Sequence, residues 1–430
     1  MKTILVLGYG RSASFLVQKL IENRINWNVK IKVVDSKFQE KPSIANENVE
    51  FIAANLQNPE NRRNFIQEAD LCISLLPTEM HYEIALDSIE FKKNLLTASY
   101  NSPSIQNLHH AAVEKKIFIG MELGLDPGID HLTALYTIQE LKKNNAKLIA
   151  FESYCGGLAA VEYENNPLKY KITWNPKNLI QAGGYTHATF KFEGKCYNIP
   201  YIKLFENPMR IDLGNEDLVF EMYPNRNSLS YISLYQLNDM QTFIRGTLRR
   251  PPFCKCWDTF VKNGWTNNQI TFTNSKKNLT WKDVFLSFIQ PWKTFNSNDP
   301  VINECIEYLD IFSNEIVPME HFTVAEALEY LMVKKLSLSK GEKDRVVMIH
   351  RIKYEIDNSM YTDTYLLDEK GDFAQTAMTK WVGMPILALV DLWLNQKLNH
   401  IRGVFCAYTT EIVNLLTPKL FAMGLKIAKV

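Results

Sequence analysis

Thr3-Ile4-Leu5-Val6-Leu7-Gly8-Tyr9-Gly10-Arg11-Ser12-Ala13 is the stretch on which the architecture turns. Thr3 to Leu7 is an apolar run of strand length, and the turn after it spells GxGxxA. A helical pattern opens at once, with Ala13, Leu16, Leu20 and Ile21 on one face. A second strand runs from Ile31 to Val34 and ends at Asp35. Each residue type has a task in such a unit. Gly8 makes the tight turn, Gly10 lets the backbone approach a pyrophosphate, and Ala13 seats the helix on the strand. The helix N-terminus faces the negative charge, with Tyr9, Arg11 and Ser12 in the loop around it. Arg11 either pairs with the pyrophosphate or points to solvent. Asp35, followed by Ser36, suits a ribose diol. A carboxylate there accepts from a 2′-hydroxyl and repels a 2′-phosphate, which favours NAD over NADP; Lys37 softens that repulsion. The alternative is a tight turn with no ligand.

Further strands follow at regular intervals. Val49 to Ile52 leads to Asn55, an adenine-side position, and Ala69 to Leu76 is a buried strand. It ends in a loop, Leu75-Leu76-Pro77, where a nicotinamide would lie. Leu95 to Tyr100 and Ile117 to Met121 are two more. Strands alternating with helices predict a parallel, doubly wound sheet with ligands outside the strand C-termini. Ser99 and Tyr100 fall at such an end.

Next comes Leu123-Gly124-Leu125-Asp126-Pro127-Gly128-Ile129-Asp130-His131-Leu132. Its local grammar is that of a helix start: Asp126 as N-cap, Pro127 at the first helical position, then Ile129, Leu132, Leu135 and Ile138 at helical spacing. Asp130 lies four residues on, so both carboxylates would face one side. Leu125, Asp126 and Asp130 are expected near the cofactor, and Asp126 near the substrate as well.

The second half changes character. A strand from Leu148 to Tyr154 is expected to end in Cys155-Gly156-Gly157, where paired glycines imply a close backbone approach. Thr189 to Lys195 reads as a hairpin turning at Glu193-Gly194. These segments predict a mixed or antiparallel sheet. From about Phe253 to Lys335 helical spacing returns: Trp257, Phe260 and Val261, then Trp281, Val284, Phe285, Phe288 and Ile289. Thr323 and Glu326 form a capping-box pair ahead of another helix. Arg345 to Ile352 rejoins the sheet, a long helix runs to Leu394, and Thr410 to Gly424 is helical with a kink near Pro418.

Composition narrows the function classes. The 430 residues imply two or three domains. Net charge is +1, so nothing points to nucleic acid or a membrane surface, and no apolar run suggests a membrane span. The N-terminus reads as a first strand rather than a signal peptide. The seven cysteines are scattered, and Cys254 and Cys256 are spaced for neither zinc nor a disulfide. Reduced thiols in a cytoplasmic protein are expected, with no metal site.

Six separated motifs then stand in order: GLDPGID at 124–130, SYCGG at 153–157, NPLKYKITW at 166–174, YPNR at 223–226, RGTLR at 245–249 and TAMTKWVGMP at 376–385. Together they resemble the saccharopine reductase family, the glutamate-forming saccharopine dehydrogenases of lysine metabolism. The resemblance covers nearly the whole chain. It implies an α/β fold with a Rossmann domain at 1–125, onto which 385–430 pack back. It also implies a mixed-sheet α+β substrate and dimerisation domain at 126–250 and 340–384, and an all-helical insertion at 251–339. The implied reaction condenses 2-aminoadipate 6-semialdehyde with glutamate to an imine, which a nicotinamide hydride reduces to saccharopine, reversibly. The implied partners are small amino-acid substrates and a second copy of the chain in a homodimer.

Saccharopine carries three carboxylates, and planar bidentate donors suit them. Arg226, Arg245 and Arg249 lie in the resembling motifs, with Thr247 as a hydroxyl contact. Asp126 is the favoured proton-transfer group, with Tyr100 beside it. Ser99 and Tyr100 match substrate-contact positions of the family, Cys155 and Gly156 would line the pocket, and Asn175 would reach a ligand where family members often carry Ser. Asp35 departs from the basic residue that NADP-using members have, and Lys169 replaces a frequent glycine. Two alternatives stand beside this reading: a reductive-amination enzyme of polyamine metabolism (homospermidine or carboxyspermidine forming), and a non-catalytic dinucleotide-binding homologue. A polyamine pocket should be acidic, and the late arginines argue against that.

Overall fold

A computed structural model of the chain describes residues 1–38, 48–181, 187–275, 278–287 and 298–430. Phe288 and Ile289, expected on a helix face, lie outside the described residues.

The chain first forms β1 (Lys2–Leu7), α1 (Ser14–Trp27), β2 (Val29–Asp35), β3 (Val49–Ala53), α2 (Pro59–Glu68), β4 (Leu71–Ser74), α3 (His81–Glu90), β5 (Asn94–Thr97), α4 (Pro103–Gln106), α5 (His109–Glu114), β6 (Phe118–Met121) and α6 (Ile129–Lys143). It then builds a mixed sheet from β7 (Lys147–Ala159), β8 (Ala188–Phe192), β9 (Lys195–Ile199), β10 (Met209–Asp212), β11 (Val219–Pro224) and β12 (Thr242–Arg249), with α7 (Pro176–Gln181) and α8 (Ser230–Leu234) between them. A mainly helical run follows: α9 (Phe253–Lys262), β13 (Thr271–Thr273), α10 (Trp281–Leu286), α11 (Pro300–Tyr308), β14 (His321–Thr323) and α12 (Val324–Leu336). The chain closes with β15 (Asp344–Ile356), β16 (Ser359–Lys370), α13 (Ala377–Leu394), β17 (Gly403–Cys406), α14 (Thr410–Ala422) and β18 (Ala428–Lys429).

Two compact units result: residues 1–144 with 377–427, and residues 145–376 with 428–430. The first holds a seven-stranded sheet of order β17-β6-β5-β4-β1-β2-β3, parallel throughout. This is the doubly wound sheet expected from the βαβ opening. β4, β6 and β17 are buried throughout and β1 and β5 nearly so, and they read as mainly apolar runs, whereas β2 and β3 at one edge alternate. β17 adds a seventh strand beside β6 that the sequence pattern did not mark. α6 and the start of α13 belong to this unit, although residues 126–144 and 377–384 were assigned to the mixed-sheet domain. The reason is packing: Gly383 on α13 lies against Phe15 and Leu16 of α1, and the Thr417 hydroxyl on α14 donates to the Leu132 carbonyl on α6. α13 is long and apolar enough by length and composition to cross a membrane, contrary to the expectation that no run suggests a span. Most of it is buried within this unit, so its apolarity is that of a core helix.

The second unit holds a nine-stranded mixed sheet of order β10-β11-β12-β7-β15-β16-β18, with β8 pairing β12 and β9. β8 and β9 turn at Glu193 and Gly194, both with positive φ, as the hairpin signature predicts. β7 does not stop at Tyr154. It continues through Gly156 and Gly157 to Ala159, paired along this stretch by β15. A Cβ on Gly156 would fall 2.8 Å from the Leu248 carbonyl, so this glycine seats β7 against β12 rather than ending a strand.

The helical run is not a separate unit, and it is not all helical. β13 and β14 pair within it, and its aromatic core, with Trp257, Trp265 and Trp281, is continuous with Tyr170, Phe205 and Tyr223. The Thr323–Glu326 capping box is formed at the start of α12. Cys256 on α9 and Cys305 on α11 form a disulfide, which corrects the expectation of reduced thiols throughout. Their 49-residue separation left the pairing invisible to local spacing.

Candidate functional site

In the first unit the nucleotide turn is built as its residue types require. Gly8 adopts φ +95°, and a Cβ there would meet the Leu75 backbone at 3.1 Å. The protein itself therefore needs this glycine. Gly10 differs: a Cβ on it meets nothing within 4 Å. Its bare backbone leaves the approach to the helical turn Arg11–Ala13 open, which fits a pyrophosphate placed there. Ala13 is buried, Ser12 is half-buried, and the Arg11 side chain lies outside the described part of the structure. Asp35 ends β2 half-buried, one oxygen accepting from Tyr9 N–H at 2.7 Å and the other from Lys37 N–H at 2.8 Å. These bonds fix the carboxylate while leaving lone pairs for a further donor. The Tyr9 ring packs against Phe38 and Phe51 at 5.3 and 5.9 Å. Leu75 and Leu76 line the turn beside Gly8, whereas Ser36, Asn55 and Pro77 are exposed. Asn55 uses its side-chain oxygen on Gln57 N–H.

The loop after β6 departs from its local grammar. α6 starts at Ile129 with Gly128 as N-cap, and the Asp126–Pro127 peptide is cis. Asp126 is thus no cap, Pro127 is not in the helix, and Asp126 and Asp130 do not share a helix face. The cause is a contact the pattern could not show. The chain folds back so that Gly124 N–H donates to the Pro127 carbonyl and Ile129 N–H to the Gly124 carbonyl. Gly128 has φ +148°, and a Cβ there would lie 2.0 Å from the Gly124 oxygen. This tight turn leaves Asp126 half-buried while Leu125, Pro127 and Gly128 are buried. The Tyr100 hydroxyl donates to Asp126 Oδ1 at 3.3 Å, so the two candidate proton-transfer groups meet. Asp130 is buried and accepts from Gly128 N–H at 2.7 Å. Beneath it His131 lies 2.9 Å from Glu122 Oε2 and 3.6 Å from Asp130 Oδ2, while Glu122 Oε1 accepts from Asn101 N–H. Sequence reasoning passed over Glu122 and His131; a fully buried acid and imidazole become visible only from burial.

In the second unit strand alternation puts Arg245, Thr247 and Arg249 on one face of β12. Thr247 stands level with Tyr223 on β11 and Cys155 on β7. It is half-buried in a strand that is otherwise buried. Arg249 is 3 % exposed, ringed by Phe253, Tyr170 and Tyr223 at 5.2, 5.4 and 5.7 Å. Its Nη1 donates to the Leu248 carbonyl at 3.0 Å, and its buried Nε has no acceptor among the described residues. Burial pushes the Tyr223 phenol up to about 12, against the pull of Arg249, and raises Tyr170 too. Both rings therefore stay neutral at working pH and offer no countercharge. Glu221, level with Arg249 on β11, is turned to the Cys254 N–H. A desolvated guanidinium without a protein carboxylate is costly, and an anionic ligand would complete it.

The other predicted residues are arranged differently. Arg245 is buried under the Tyr231 ring at 4.5 Å. Arg226 is exposed at a turn with φ +49°. Cys155 is buried, but Gly156 faces away from it toward Leu248, so it does not line the same surface. Asn175, expected to reach the cofactor or the substrate, is an exposed residue of the second unit that accepts from Lys177 N–H at the start of α7. The cage residues Tyr170, Tyr223 and Phe253 went unassigned; aromatic residues flanking an arginine motif were the available signal.

Comparison with known proteins bears on this geometry. Residues 4–119 match the family model described as saccharopine dehydrogenase NADP binding domain, and residues 124–425 match the saccharopine dehydrogenase C-terminal domain. Mouse mitochondrial alpha-aminoadipic semialdehyde synthase is 30 % identical over 451 residues, covering 99 % of this chain but 47 % of that protein. The chain thus spans about half the length of the first curated relatives it matches. The Schizosaccharomyces pombe saccharopine dehydrogenase [NADP(+), L-glutamate-forming] is 31 % identical, covering 99 % of this chain and 98 % of that one. The apo structure of L-Glu-forming saccharopine dehydrogenase from Saccharomyces cerevisiae superposes with TM-score 0.85 over the full length of both chains, at 26 % identity.

Proposed function

Because this chain belongs to the saccharopine dehydrogenase family, we propose that it interconverts L-saccharopine with 2-aminoadipate 6-semialdehyde and L-glutamate, using a nicotinamide cofactor. The observation that carries this reading is Arg249, a buried guanidinium ringed by aromatic side chains with no carboxylate against it among the described residues. Such a group suits a substrate carboxylate and is unsuited to a diamine, which weighs against the polyamine alternative. When bound, the nicotinamide supplies or accepts the hydride.

The chain's own residues do the rest. In the oxidative direction the secondary amine must be deprotonated before hydride leaves its carbon. The resulting imine takes up water and breaks to aldehyde and amine. Asp126, steadied by the Tyr100 hydroxyl, is the group for these proton movements. Arg249 holds a carboxylate in place, with Thr247 beside it as a hydroxyl donor. The turn at Gly8 to Ala13 holds the pyrophosphate.

For the cofactor the reading is NAD. Its support is Asp35, fixed by Tyr9 and Lys37 N–H groups so that its charge would face a 2′-phosphate. This runs against the NADP in the names of the family domain and of the fungal relatives. A homodimer belongs to the same reading. The long edge strand β16, which β18 pairs only at Tyr365 and Leu366, leaves Met360 and Tyr361 exposed and supports a second copy there.

The test is spectrophotometric. Purified protein with saccharopine and NAD should raise reduced-nicotinamide absorbance, fastest at alkaline pH, and more slowly with NADP. Turnover of a diamine or carboxyspermidine, with none of saccharopine, would overturn the reading.

A further inference from the structure

Three side chains under the strand ends of the first unit form a hydrogen-bonded line in which only Ser99 has been given a role. Ser74 ends β4, His81 begins α3, and Ser99 follows β5. His81 is fully buried; its Nδ1 lies 3.0 Å from Ser74 Oγ and its Nε2 lies 2.7 Å from Ser99 Oγ. Thr97 Oγ1 is a longer neighbour of Nε2 at 3.4 Å and accepts from Ser99 N–H. Ser74 is fully buried as well, whereas Ser99 is half-buried.

The tautomer follows from hydrogen accounting. A neutral imidazole donates through one nitrogen and accepts through the other. Among the described residues the Ser74 hydroxyl has one partner, His81 Nδ1. A buried hydroxyl whose hydrogen has no acceptor has given up its bond to water with nothing in return. Ser74 therefore donates to Nδ1, which leaves the ring hydrogen on Nε2. The opposite tautomer would strand the Ser74 hydrogen and make Ser99 and Thr97 compete for one lone pair. With Nε2–H donating to Ser99 Oγ, the Ser99 hydrogen must point elsewhere, on the one member of the line that is not buried.

We propose that His81 is a positioning residue: held in its Nε2–H tautomer by Ser74, it commits the Ser99 hydroxyl as a donor to an oxygen of the bound ligand. The inference rests on the functional reading above and deepens it. The ligand oxygen belongs to a substrate carboxylate or to the carboxamide of the nicotinamide, which share the same acceptor chemistry. Burial lowers the His81 pKa to about 4, against the pull of Glu79, so the ring stays neutral where a reductive amination would run. His81 also ties the end of β4, which leads into the Leu75–Pro77 loop, to the end of β5, which leads to Tyr100.

The tautomer is read directly by nitrogen NMR of protein labelled with ¹⁵N-histidine, the His81 signal being assigned by its loss in His81→Gln. The expected signal is a neutral Nε2–H ring at pH 7, shifted toward the other tautomer in Ser74→Ala. Kinetics read the consequence. His81→Leu should raise the saccharopine KM about tenfold with a smaller change in kcat. His81→Gln, whose side-chain N–H₂ can replace the Nε2 donor, should recover most of that. Ser99→Ala should match His81→Leu, and the double variant should be no worse than Ser99→Ala alone. A rise in dinucleotide Kd in place of KM would assign the oxygen to the carboxamide. An Nδ1–H ring in the wild type, or additive effects of His81→Leu and Ser99→Ala, would overturn the proposal. Loss of the functional reading is a separate result: the wild type would not turn over saccharopine, and the NMR arm would still decide the tautomer.

Discussion

Replacing Arg249 with methionine separates a ligand-binding arginine from a structural one. Methionine keeps the unbranched stem as far as the ε position and removes the guanidinium with its charge. In the free protein several terms oppose one another. Removing a buried Nε with no acceptor relieves a penalty of about 1–3 kcal/mol. Losing the contacts to Phe253, Tyr170 and Tyr223 costs roughly 0.5–2 kcal/mol, and the bond to the Leu248 carbonyl is worth about 1 kcal/mol more. The net lies between a loss of about 2 kcal/mol and a gain of about 1.5 kcal/mol, so Tm should fall by no more than about 8 °C, at roughly 2–4 °C per kcal/mol for a unit of this size. Binding tells a different story. A carboxylate taking two charge-assisted bonds from the guanidinium loses about 3–5 kcal/mol, which is roughly 10²- to 10⁴-fold in the saccharopine KM. Arg249→Lys restores a point charge without the fork and should recover only part of it. Scanning fluorimetry and initial-rate kinetics on the three proteins decide the matter. A Tm loss above about 8 °C with an unchanged KM would refute the reasoning and make Arg249 a structural cation of the aromatic core.

Three further outcomes follow from the geometry. Asp35→Asn removes the charge at the end of β2 but keeps an acceptor, so kcat/KM with NADP should rise relative to NAD by about tenfold; an unchanged ratio would mean that the carboxylate does not face the ribose. His81 binds a proton near 6.5 when unfolded but only near 4 when folded, so the unfolded state holds more protons between these values and stability falls as pH drops. About 2 kcal/mol should disappear between pH 7 and 5, measured by urea unfolding, and His81→Gln should flatten that slope. Gly128→Ala and Gly10→Ala should part company: the first drives a Cβ into the Gly124 carbonyl and should cost at least about 3 kcal/mol of stability, while the second should leave Tm alone and weaken dinucleotide binding in a titration.

The sequence by itself determined what short-range patterns can encode. Thr3 to Asp35 specified strand, glycine turn, helix and acid because apolar periodicity and glycine spacing act within a few residues. The Glu193-Gly194 hairpin and the Thr323–Glu326 capping box were legible for the same reason. The alternation of Arg245, Thr247 and Arg249 was legible once β12 was taken as a strand. Tertiary structure decided the rest. Asp126-Pro127 has the composition of a helix start, yet the contact between Gly124 and Gly128 moves that start to Ile129 and leaves Asp126 with Tyr100. Cys256 met Cys305 across 49 residues, β17 joined a sheet begun near the N-terminus, and Gly156 proved to be a packing residue. Arg249 shows the division most clearly. Its motif marked a cation on a strand, but whether it was solvated, paired or waiting for an anion depended on rings from β11, α9 and the chain before α7, which only the folded core brings within 6 Å. A charge takes its meaning from its dielectric surroundings and countercharges, and those are long-range properties that no local spacing carries.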